Sequence, residues 1–75
     1  MVAVYTNPQC VQCDMTKKFL DKNEIEYKVI DLSQDKESLD MVLGLGFSAA
    51  PVVIAGDQKW AGFKLDKLKT LLPEA

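Results

Sequence analysis

The sequence predicts a single α/β domain of order β-α-β-α-β-β-α, a four-stranded mixed sheet flanked by three helices. Three observations carry that prediction. Residues 2–6 alternate as a strand and pass through a short loop into apolar residues at helical spacing. The same change of period recurs from residue 25 onward, and residues 52–61 read as two short strands around a Gly56-Asp57 turn. Seventy-five residues make one domain, 1–75, with no length left for a second.

Val2, Val4 and Thr6 alternate with Ala3 and Tyr5, and both faces are largely apolar, as in a central strand covered on both sides. Pro8 breaks the alternation and shapes the turn that presents Cys10. From Val11 to about Asn23, Val11, Met15, Phe19 and Leu20 fall at helical spacing opposite Asp14, Lys17, Lys18, Asp21 and Lys22. Asn23 is expected to stop this helix, and lysines in its last turn complement the dipole. Ile25, Tyr27 and Val29 then alternate with Glu26 and Lys28, which predicts a second strand with one wet face. Strand, helix and strand within about thirty residues imply a right-handed crossover and a parallel pair.

Ser33 is the expected cap of the second helix, whose apolar face is Leu39, Met41, Val42, Leu43 and Leu45 and whose end falls at Gly44 or Gly46. Pro51 heads the third strand, where a missing N–H is tolerated, and Gly56-Asp57 turns the chain into an antiparallel fourth. Residues 63–72 carry Leu65, Leu68, Leu71 and Leu72 on one face, a closing amphipathic helix that Pro73 ends.

Cys10 and Cys13 are the only cysteines, set three positions apart directly after the first strand. A helix beginning there makes Cys10 its N-cap and Cys13 its third residue, on one side of the first turn. That turn supplies about the Cα separation a disulfide needs, roughly 4.4–6.8 Å. A sulfur at the N-cap faces the unpaired N–H groups and the positive end of the helix dipole, so its thiolate is favoured, and the thiolate is the attacking species in disulfide exchange. Position therefore makes Cys10 the expected nucleophile and Cys13, further in, the resolving thiol. A tetrahedral zinc site needs about four ligands, and two cysteines without a histidine do not supply them. A purely structural disulfide across so short a loop would stabilise little.

The remaining composition narrows the chemistry. The basic residues number nine, all lysine, against eleven acidic ones, a net charge of −2 that offers no field for phosphate backbones and argues against nucleic acid. The longest apolar run, residues 49–55, is far short of the roughly 20 residues that cross a bilayer. The start of the chain lacks the basic and apolar pattern of a secretory signal, so a cytoplasmic location is expected. There a close cysteine pair is more often catalytic or metal-binding than structural.

Cys10-Val11-Gln12-Cys13 after a strand, with Pro51 leading the third strand, resembles the thioredoxin superfamily over the whole chain, and at this size a glutaredoxin. The finer similarity is to the NrdH-redoxins, through Cys-Val-Gln-Cys at 10–13, Ala50-Pro51-Val52-Val53, and Trp60-Ala61-Gly62-Phe63 where those proteins usually carry Trp-Ser-Gly-Phe. The resemblance implies a thioredoxin fold with a cis bond before Pro51, and Ala50 offering its backbone to a substrate segment. It further implies a monomeric thiol-disulfide oxidoreductase, without cofactor or metal beyond the Cys10–Cys13 pair. NADPH would reduce it through thioredoxin reductase, and it would reduce the large subunit of class Ib ribonucleotide reductase. Val11, Gln12, Ala50, Pro51, Trp60, Gly62 and Phe63 are the expected substrate-binding residues, although Trp60 and Phe63 also suit plain packing.

Asn7 stands where the family commonly has lysine, and Ala61 replaces the usual serine. Glutaredoxins hold glutathione with a Gly-Gly-acid sequence near the last helix, where this chain reads Ala61-Gly62-Phe63-Lys64. Two alternatives stay open: reduction by glutathione, and a metal or iron–sulfur carrier in which two chains pool four thiolates.

Overall fold

The structure, a computed structural model, describes residues 2–72. Its elements are β1 (Val2–Thr6), α1 (Val11–Lys22), β2 (Tyr27–Asp31), α2 (Lys36–Gly44), β3 (Val52–Ala55), β4 (Gln58–Ala61) and α3 (Leu65–Lys69). They form one mixed sheet of order β2-β1-β3-β4, the thioredoxin fold. β1 pairs parallel with β2, Val4 opposite Val29, and antiparallel with β3, Val4 opposite Val53. The β3–β4 hairpin turns at Gly56, whose φ of 62° places glycine where a two-residue loop needs a positive angle.

Alternation along the strands divides the core in two. On one face Val2, Val4, Val53 and Trp60 pack with Leu20 of α1 and Leu68 of α3; on the other, Val52 packs with Leu32 and with Val42 of α2. The sheet is thus covered on both sides, which is why the central strand β1 is largely apolar.

Both longer helices end in the same hydrogen-bond pattern. After α1, Glu24 N–H donates to the Asp21 carbonyl and Ile25 N–H to that of Leu20; after α2, Gly46 N–H donates to Leu43 and Phe47 N–H to Val42. These are Schellman caps, closed in each case by an apolar residue folding back on the helix. Each needs a left-handed residue, which is Gly46 (φ 92°) in α2 but Glu24 (φ 56°) in α1. Asn23 caps α1 as expected and its side chain donates to the Phe19 carbonyl at 2.8 Å.

Several sequence expectations are corrected. The buried face of α1 is Cys13, Thr16 and Leu20, while Val11 and Met15 are exposed. Periodicity missed Thr16 because its hydroxyl is satisfied locally, donating to the Gln12 carbonyl at 2.9 Å. β2 begins at Tyr27, and Val29 is half exposed because β2 is an edge strand. The cap of α2 is Asp35, whose carboxylate accepts the Ser38 N–H at 3.1 Å. Ser33 serves the turn before it, where its N–H and its hydroxyl both donate to Asp31. Of the apolar face expected for α2, only Val42 is buried; Leu39, Met41, Leu43 and Leu45 lie at least a third exposed. The last helix is shorter than 63–72, starting at Leu65, itself exposed. Pro73, its expected end, lies outside the described residues.

Candidate active site

The redox turn follows β1 directly. Gln9 adopts a left-handed φ of 57°, an uncommon conformation for a residue with a side chain, and swings the chain into α1. Cys10 is then the extended N-cap residue, and its sulfur accepts the Cys13 backbone N–H at 3.1 Å. The two cysteines form a disulfide across Cα atoms 5.2 Å apart, within the span a helix's first turn offers. Their exposure differs. Cys10 is partly exposed, whereas Cys13 is 1 % exposed behind it.

Antiparallel pairing of β1 with β3 sets the second wall. Tyr5 lies opposite Val52, so Thr6 and Asn7 run beside Pro51 and Ala50, and the redox turn emerges at the head of β3. The Ala50–Pro51 peptide bond is cis, the geometry that the resemblance implies. Ala50 borders a small hollow of about 40 Å³ whose walls include Asn7, Leu39, Leu43 and Phe47. A larger open hollow, lined by Asp21, Ile25, Glu26, Tyr27 and Val29, lies at the start of β2 and so at the end of the sheet away from the cysteines.

The third wall comes from the segment after β4. Gly62 N–H donates to the Pro51 carbonyl at 2.7 Å, and Phe63 N–H donates to the side-chain oxygen of Gln12 at 3.2 Å. Residues 10–13, 50–51 and 62–63, far apart in sequence, are therefore contiguous. Val11 is the most exposed large apolar side chain among the described residues, at 73 %, and stands beside Cys10. Phe63 packs partly against the core, and Trp60, 3 % exposed, is a core residue whose ring presents almost no surface. The Trp60 indole N–H has no partner among the described residues. Sequence reasoning named Gln12 and Phe63 separately; their bond across 51 positions leaves no local signal.

Among the described residues, no three His, Cys, Asp or Glu side chains gather into a metal-sized cluster, and no helix is long and apolar enough to cross a membrane. A vicinal cysteine pair with one sulfur outward at a helix start can accept two electrons as a disulfide and return them as a dithiol.

The glutaredoxin family profile matches residues 2–60, a stretch that contains the redox turn and the cis proline. The chain belongs to the glutaredoxin family. Within it the similarity is to the NrdH type. The glutaredoxin-like protein NrdH of Escherichia coli K12 is 35 % identical over 72 residues, 96 % of this chain and 89 % of that protein. Its counterpart in Lactococcus lactis subsp. cremoris is 38 % identical over 71 residues, 95 % of this chain and 99 % of that one. The solved structure of NrdH-redoxin from Escherichia coli, described as the basis of that protein's thioredoxin-like activity profile, superposes with a TM-score of 0.94. It shares 34 % identity and covers 99 % of this chain and 97 % of its own. This NrdH-type glutaredoxin is accordingly a thiol-disulfide oxidoreductase, with Cys10 and Cys13 as its redox-active pair.

Proposed function

We propose that this protein carries electrons from NADPH, by way of thioredoxin reductase, to the large subunit of class Ib ribonucleotide reductase, in the cytoplasm, as a monomer without bound cofactor. The observation that carries this reading is the near full-length match to NrdH proteins, one of which has a thioredoxin-like activity profile. Two features of the site support it. Cys10 is accessible while Cys13 is not, and the Phe63 N–H beside the cysteines is already taken by Gln12.

Catalysis begins with the reduced pair. The Cys10 thiolate attacks one sulfur of the partner's disulfide, forming a Cys10–partner bond and releasing the other partner sulfur as a thiolate, which takes a proton. Cys13 loses its proton and attacks the Cys10 sulfur, closing the intramolecular disulfide and expelling the second partner thiolate. Two electrons have then left the redoxin. A reductase dithiol returns it to the starting state by the same two exchanges in reverse. Ala50 and the exposed Val11 border the approach to Cys10, the backbone of the one pairing with the partner's extended segment and the side chain of the other covering it.

NADPH oxidation with thioredoxin reductase, this protein and a disulfide acceptor, run beside glutathione with glutathione reductase, tests the donor. Turnover with thioredoxin reductase alone is expected, and ribonucleotide reductase should then accept the electrons. Turnover with glutathione alone would overturn the donor assignment. Cys13→Ser should halt at the mixed disulfide on Cys10, visible as a covalent adduct by mass spectrometry.

A further inference from the structure

We propose that Gln12 is a positioning residue for the Cys10 sulfur: by accepting the Phe63 backbone N–H, its side chain fixes the first turn of α1 against the segment that follows β4. The proposal rests on the reading of Cys10 as the attacking thiol.

Gln12 is exposed, and an exposed glutamine ordinarily samples many rotamers, so ordering it costs conformational entropy. Here it is held at both ends. Its side-chain oxygen accepts from Phe63 at 3.2 Å, and its backbone carbonyl accepts the hydroxyl of the fully buried Thr16 at 2.9 Å. The far side is anchored as well, since Gly62 donates to the Pro51 carbonyl at 2.7 Å and so ties residues 62–63 to the head of β3. A path of hydrogen bonds thus runs from Pro51 at the head of β3 through Gly62 and Phe63 to Gln12, one of the two residues between the cysteines.

That residue's position gives the path its consequence. With Cys10 as N-cap, the two backbone N–H groups placed to stabilise its sulfur belong to Gln12 and Cys13, and the Cys13 N–H already points at it from 3.1 Å. A thiolate gains most from donors that need no reorganisation when the charge appears. Clamping Gln12 from outside the helix keeps the first turn, and with it those donors, in place when reduction removes the disulfide that otherwise holds it.

Gln12→Met tests this, because methionine matches glutamine in length and helix propensity but lacks the amide acceptor. The readouts are iodoacetamide alkylation of the reduced full-length protein against pH, with the modified cysteine located by mass spectrometry, and amide exchange at Phe63. In Gln12→Met the midpoint of the alkylation profile should move to higher pH and the rate at neutral pH should fall about three- to tenfold, the range one hydrogen bond spans. Phe63 exchange should quicken, and Gln12→Glu, which keeps an acceptor oxygen, should restore its protection. An unchanged or lowered midpoint in Gln12→Met overturns the proposal, whatever happens at Phe63. Alkylation of the parent at Cys13 would overturn the role of Cys10 itself, and the positioning role with it.

Discussion

The Gly62 N–H donates to the Pro51 carbonyl at 2.7 Å, one position past the last ladder pair of the β3–β4 hairpin, Val52 with Ala61. This bond carries the chain from the sheet onto the redox site, and it demands the φ of 87° that Gly62 adopts. Space is not the constraint. A Cβ at Gly62 would meet Gln12 Oε1 at 3.6 Å, an ordinary contact, so conformation decides the residue. Gly62→Ala should cost about 1–2 kcal/mol in urea unfolding; a change below a few tenths would show that the segment adjusts without strain.

The two Schellman caps make an internal comparison. Glu24 occupies the left-handed position that Gly46 fills in the other helix. Glu24→Gly should raise stability by about 1 kcal/mol, and Gly46→Ala should lower it by a similar amount. Loss of stability in Glu24→Gly, measured by thermal unfolding, would mean that its side chain contributes more than its backbone costs.

Capping separates Asp35 from Ser33. Asp35→Ala removes the acceptor of the Ser38 N–H and should cost about 1 kcal/mol. Ser33→Ala leaves that bond intact and should cost under about 0.5 kcal/mol. Equal losses in a melting comparison would return the cap to Ser33.

Tyr27 is expected to link folding stability to alkaline pH. Burial, and then the hydrogen bond its hydroxyl donates to Asp21 at 2.8 Å together with the Asp21 charge, holds this phenol above its ordinary value of 10.0. The folded state therefore keeps the proton more tightly than the unfolded chain. The contribution is intact below pH 10.0 and is lost as pH rises through the folded value. Urea midpoints should fall more as pH rises above 10.0 in the parent than in Tyr27→Phe; parallel curves would exclude Tyr27 as the source.

Much of the fold could be read in the sequence because it was written locally. The change of period from strand to helix, the Gly56 turn and Asn23 at the end of α1 each depend on neighbours a few positions away. The same locality exposed the redox turn, since a cysteine at a helix N-cap and another three residues on need only the first turn to meet. Periodicity failed where burial depends on what lies across. Met15 and Leu43 looked like core and are exposed, because neither covers the sheet, while polar Thr16 is buried with its hydroxyl satisfied within its own helix.

By itself, then, the sequence determined the order of elements, the redox pair and the family, all of which rest on short-range patterns and spaced motifs. Tertiary structure alone decided which faces are buried, that Trp60 is core, and that Gln12, Pro51, Gly62 and Phe63 form one connected frame around Cys10. The reason is physical: a hydrogen bond from Phe63 to Gln12 spans 51 positions, and its partners become neighbours only when β1 and β3 pair and the hairpin returns the chain to the head of the sheet.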